Sequence, residues 1–222
     1  MIFIRTLSAI KSIRNAAFSV LMLIPATAAA APSPNSLTIL IDGFASASPL
    51  IGYGLRNLRK KIPDAQLYSY VGAVEGWTYI APKVIRDVEK AYRRDPDIEI
   101  NLIGVSFGAN LLTRIVAKLD ERGVPVSYLG IIDGLPLTPI TPNVRRVDNF
   151  TCSLAGCLRD KIELTKNNYS TIANAFDYKT THIRISNHSE VQQRILHQIS
   201  TFPLDLLADP ECELTDQQHS VC

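Results

Sequence analysis

The sequence has almost no excess of charge of either sign: 23 Lys and Arg stand against 21 Asp and Glu in 222 residues. Three of the basic residues, Arg5, Lys11 and Arg14, fall in the first thirty positions, which hold no acid. The remainder therefore carries 20 basic against 21 acidic residues, a net charge of −1. A near-neutral chain of this kind lacks the basic surface that would recommend nucleic acid or an anionic membrane as a partner. There is no internal repeat and no low-complexity linker. No apolar run reaches the roughly 20 residues of a membrane-spanning helix, so no integral membrane segment is expected. Hydrophobic residues make up 46% and charged residues 20%, which excludes a disordered chain, a collagen and a coiled coil. The length stays below the roughly 250–300 residues at which single cores stop growing, which argues for one domain.

The first thirty residues have the three parts of a secretory signal. A basic region ends at Arg14, an apolar run covers about Ala16 to Ile24, and Pro25 leads into small residues. Ala26-Thr27-Ala28 or Ala28-Ala29-Ala30 then offers a cleavage site. An uncleaved interfacial helix is the plain alternative. No cysteine near the cleavage region suggests a lipid anchor, and no Arg-Arg pair points to the twin-arginine route. The expected organisation is a cleavable signal peptide over 1–30 and an exported single domain over 31–222.

Export gives the cysteines a meaning. Cys152, Cys157, Cys212 and Cys222 form an even set confined to the last third, and in an oxidising compartment they read as two disulfides. The local pairings Cys152–Cys157 and Cys212–Cys222 are preferred over the two other combinations. A metal site is the functional alternative, but no C-x-x-C spacing or accompanying histidine pair supports it, so neither metal nor cofactor is expected.

Along the mature chain strands and helices alternate. Residues 36–43, 65–71, 98–103, 126–132 and 144–150 read as strands. Helical periodicity marks 52–61, 82–94 (with Pro82 in its first turn) and 107–122. Residues 151–180 show no clear pattern, Thr181–Ser186 reads as the last strand, and Ser189 stands at the N-terminus of a final helix. This order predicts a three-layer α/β/α sandwich around a mostly parallel sheet, with chemistry beyond the carboxyl ends of the strands.

Gly104-Val105-Ser106-Phe107-Gly108 lies where one such strand passes into a helix. That setting makes G-x-S-x-G a nucleophile elbow: a sharp turn lifts the Ser106 hydroxyl out of the sheet, and side chains two positions either way would collide. An ordinary serine in a glycine-rich turn is the bland reading. Of four histidines, His219 is in the tail, His197 within the last helix and His182 at the start of the supposed last strand. His188 falls just past that strand's carboxyl end, which makes it the expected base; a capping surface histidine is its alternative. For the orienting acid, Asp133 ends the strand that follows the Ser106 helix, and Asp148 in the next strand is second. Asp160 and Asp177 lie in the unpatterned stretch.

With Ser106, Asp133 and His188 in this chain order and GVSFG as the elbow, residues 36–202 resemble the α/β-hydrolase family. The resemblance implies a serine esterase, lipase or thioesterase. An acid directly after this strand is similar to thioesterase-type members. Backbone N–H groups of Phe107 and, by resemblance, of Phe44 are expected to form the oxyanion hole. Many relatives have His-Gly where this chain has Asp42-Gly43, so Asp42 also reads as a simple turn anchor. The connection Gly134 to Asn143 is too short for a helical cap, which predicts an open site edged by Phe44, Phe107, Leu135 and Leu137; these side chains read equally as core. Coenzyme A and carrier-bound substrates are not expected outside the cytoplasm. The expectation is therefore an exported hydrolase of small-molecule acyl esters. A thioesterase or amidase on the same triad, and a non-catalytic binding module, are the alternatives.

Overall fold

The computed structural model describes residues 35–44, 46 and 55–200. The proposed signal peptide, His219 and the Cys212–Cys222 pairing lie outside the described residues.

Apolar β-branched runs can be buried on both faces at once, and here they build the centre of one sheet. Its strands are β1 (Ser36–Ile41), β2 (Gln66–Tyr68), β3 (Glu99–Val105), β4 (Val126–Ile132), β5 (Val144–Cys152) and β6 (Ile172–Tyr178). They lie in the order β2-β1-β3-β4-β5-β6, and every neighbouring pair is parallel. Side chains alternate between two cores. Ile39, Ile41, Leu102, Leu129, Ile131 and Val147 point to one face. There they meet Val84 and Val88 of α3 (Ala81–Arg94) and Leu112, Ile115 and Leu119 of α4 (Phe107–Asp120). Leu40, Ile103, Val105, Ile132 and Phe150 point to the other. They pack on Leu58 of α1 (Arg56–Lys61) and on Val191, Ile195 and Ile199 of the last helix (Ser189–Ser200). The result is the expected α/β/α sandwich, parallel throughout.

Two local departures from expectation have physical causes. Helical backbone begins before Pro82: a short α2 (Ala73–Glu75) runs through a widened π turn, Gly76–Ile80, into α3. The Ala81 N–H reaches back to the Gly76 carbonyl, and this wider turn lies just before the proline nitrogen, which has no hydrogen to donate.

The second departure matters for function. The last strand is β6, in the stretch without a pattern, and residues 182–185 (HIRI) form a short helix, α5 (His182–Ile185). Strand β6 is an edge strand whose Ala, Asn and Asp residues are exposed or half-buried, so its composition carries little strand signal. The alternation Thr-His-Ile-Arg-Ile-Ser imitates a strand, yet the N–H groups of Arg184 and Ile185 both close on the Thr181 carbonyl at 3.0 Å. The closing helix, α6 (Ser189–Ser200), begins at Ser189 as expected.

Candidate active site

Ser106 stands between the end of β3 and the start of α4 with φ 56° and ψ −124°. A non-glycine residue rarely adopts this conformation, and it persists only where its surroundings enforce it. The glycines of the elbow show how. A side chain at Gly104 would lie 2.8 Å from the backbone of Gly108 and Ala109, and one at Gly108 only 2.2 Å from the Ile41 carbonyl oxygen. The turn therefore packs directly on its own helix and on the end of β1. Gly43, in the loop after β1, is a less severe but still tight approach: a Cβ there would sit 3.1 Å from the Ser106 Cβ.

Asp133 follows β4 and is fully buried, with its own left-handed φ of 42°. Its Oδ2 accepts a hydrogen bond from His182 Nδ1 at 2.6 Å, and His182 Nε2 lies 3.0 Å from Ser106 Oγ. Because an ionised carboxylate only accepts, the Nδ1 proton belongs to the imidazole, which leaves Nε2 to accept the serine proton. Asp133 also receives the backbone N–H groups of Leu158 (3.2 Å) and Arg159 (3.1 Å). Burial pushes the Asp133 carboxyl up, but the His182 hydrogen bond and the Arg159 and Leu158 amides outweigh it and hold the group below its ordinary value.

The histidine expectation is corrected: Ser106 and Asp133 meet His182, not His188. His188 sits beside α6 with its ring 4.8 Å from that of Tyr178, and its Nδ1 is buried with no hydrogen-bond partner. His182, like His188 in the expectation, lies just past the carboxyl end of the last strand. The strand ends at Tyr178, and His182 follows it. No signal short of placing β6 would have separated the two histidines.

Asp148 has a different task. Buried beneath α6, it accepts from Tyr128 Oη (3.2 Å), Asn174 Nδ2 (2.9 Å) and Arg194 Nε (3.1 Å). Asp160 accepts the Leu137 N–H at 2.8 Å and so holds the loop after β4. Asp177 accepts from Thr151 Oγ1 at 2.9 Å. Asp42 anchors its turn: it accepts the Leu55 N–H (2.7 Å) and the Ser69 hydroxyl (2.9 Å), and burial outweighs these bonds to push its carboxyl up.

The expected apolar edge divides in two. Phe44 and Leu135 are exposed, whereas Phe107 and Leu137 pack against the core. Phe107 meets the rings of Tyr70 and Trp77 edge-on at 6.1 and 5.9 Å. A groove of about 500 Å³ lies elsewhere, lined by Asn149, Thr151, Arg159 and Asp177 among others, and none of Ser106, Asp133 and His182 borders it.

In backbone architecture the chain is similar to solved thioesterases. The type II thioesterase BorB of the borrelidin biosynthetic cluster matches with a TM-score of 0.50 and 8% identity, over 76% of this chain and 94% of that one. The fold is α/β-hydrolase-like. Human thioesterase 2 matches at TM-score 0.48 and 11% identity, covering 74% and 96% of the two chains. A putative hydrolase of the α/β superfamily from Xanthomonas campestris pv. campestris matches at 0.42 and 13%, covering 75% and 96%. No protein-family model matches the sequence, and no curated protein matches it. Among the described residues no helix is long and apolar enough to cross a membrane.

Proposed function

We propose that this chain is an exported serine hydrolase that cleaves carboxylic esters through an acyl-enzyme on Ser106. The observation that carries the reading is the continuous hydrogen-bond chain from Asp133 through His182 to Ser106, set on a strained elbow. Ser106 Oγ attacks the ester carbonyl as its proton passes to His182 Nε2; the departing alcohol takes that proton, leaving Ser106 acylated. Water then attacks the acyl-enzyme with His182 as base, the acid leaves, and Ser106 regains its hydrogen. Asp133 stays ionised and balances the imidazolium. The backbone N–H of Phe107, first residue of α4, has no acceptor one turn back and is offered to the oxyanion, with the Phe44 N–H as its partner. The approach of Gly43 to Ser106 supports that placement of Phe44. The exposed Phe44 and Leu135 suit an apolar acyl group.

The signal-like first thirty residues and the Cys152–Cys157 disulfide both favour an oxidising compartment. Compartment is the reason for preferring esters. The acid directly after β4 favours a second reading, thioester hydrolysis on the same three residues. A fluorophosphonate probe should label Ser106 in the folded protein and leave Ser106→Ala unlabelled; absence of labelling sinks both readings. Matched p-nitrophenyl ester, thioester and amide substrates then rank the bonds cleaved, with the ester expected first.

A further inference from the structure

The acid Asp133 is held by a turn that is itself tied by a disulfide. Cys152, the last residue of β5, is bonded to Cys157. The next two residues, Leu158 and Arg159, donate both of their backbone N–H groups to the Asp133 carboxylate. Arg159 has φ 58°, and its guanidinium folds back on the Cys152 and Ser153 carbonyls. Among the described residues, the non-glycine positions with left-handed φ are Ser106, Asp133 and Arg159, and all three belong to this one cluster. The same turn also borders the base. The Leu154 N–H bonds the Thr180 carbonyl at 3.0 Å, and a side chain at Gly156 would lie 3.6 Å from the His182 Cβ. Finally, Cys152 Sγ lies 3.2 Å from Asp133 Oδ2, the oxygen that accepts the His182 Nδ1 hydrogen bond. A disulfide sulfur has no proton to donate there; a thiol does.

We propose that the Cys152–Cys157 disulfide is a redox-gated positioning element for the catalytic acid, closed in the active form and opened by a dithiol reductant. Opening breaks the S–S bond and forms two thiols, while the dithiol is oxidised to its own disulfide. Two consequences follow at Asp133. The turn that presents the Leu158 and Arg159 amides loses its covalent tie, and the Cys152 thiol becomes a donor competing with His182 for Oδ2. Both loosen the orientation of the imidazole, which acts only in the transition state, so the loss falls on kcat.

The inference rests on the serine-hydrolase reading, and fluorophosphonate labelling of the oxidised full-length protein tests that reading first. Under native dithiothreitol, kcat should fall by about tenfold or more while KM stays within about twofold, and reoxidation should restore it. Cys152→Ala/Cys157→Ala, which loses the tie without gaining the thiol, should have a kcat between the oxidised and reduced wild type and no response to reductant, whereas Cys212→Ala/Cys222→Ala should keep the response. Should the first variant not fold, the far-downfield NMR signal of the His182 Nδ1 proton, compared in oxidised and reduced wild type, gives a readout independent of turnover. Its weakening on reduction supports the clamp even in a protein with no esterase activity. The proposal is overturned if mass analysis shows the bond open while kcat and the imidazole signal are unchanged, or if reduction lowers only the melting temperature.

Discussion

An imidazole can act on a serine only from hydrogen-bond distance, and this requirement separates two histidines that stand close together in the chain. His182 lies 3.0 Å from Ser106 Oγ, while His188 packs at a tilt against the ring of Tyr178. Replacing His182 by Ala should lower kcat by on the order of 10⁴- to 10⁶-fold, as removal of a triad member does. His188→Ala should leave kcat within about threefold, because its Nδ1 has no partner to lose. Steady-state kinetics on a p-nitrophenyl ester checks both, and equal losses would remove His182 from its proposed role. At this scale the elbow was readable from sequence, because Gly104 and Gly108 are demanded by contacts a few residues away in the chain or on the adjoining strand. Which histidine meets Ser106 was not readable, because its position depends on where a distant edge strand ends.

At the scale of elements, Asp148 ties β5 to β4 through Tyr128, to β6 through Asn174 and to α6 through Arg194. It is a buried carboxyl whose partners come from three different elements, and removing it takes away the acceptor for Tyr128, Asn174 and Arg194. Asp148→Ala should therefore cost about 3 kcal/mol of stability, the scale for breaking a buried pair. The fraction of folded protein that a fluorophosphonate labels should not change. Denaturant unfolding and active-site titration on the same samples separate the two effects; loss of labelling in folded protein would return Asp148 to the site. Central strands β1, β3, β4 and β5 were legible because burial on both faces forces continuous apolar runs. Edge strand β6 was not, since only Phe176 and Tyr178 of its residues pack against the core.

For the whole molecule, acid stability depends on carboxylates held in opposite ways. The Asp133 carboxyl lies below its ordinary value when folded, so its contribution is complete above the unfolded value of about pH 4 and is lost as pH falls through the folded one. Asp133→Asn removes that contribution. The stability advantage of wild type over Asp133→Asn should thus shrink as pH is lowered from about 6 to about 3, measured by urea unfolding at each pH. An advantage that stays constant would mean that the Asp133 charge contributes nothing to folding. Asp42 works the other way: burial raises its carboxyl, so its contribution weakens as pH rises through the folded value.

The sequence by itself determined the layers of the fold, the strained turn at Ser106, the place of Asp133 at the end of β4 and the local Cys152–Cys157 pairing. Each of these rests on residues near one another in the chain, or on apolar periodicity that any buried strand must show. Only the tertiary structure decided which histidine meets Ser106, that Asp148 is a structural tie, and that the disulfide turn presents two amides to Asp133. Those outcomes depend on β6 pairing in register with β5, from Arg146 opposite Ile172 to Cys152 opposite Tyr178. The register is set by cross-strand contacts between segments that carry little local signal, and it brings His182 to the same sheet edge as Ser106.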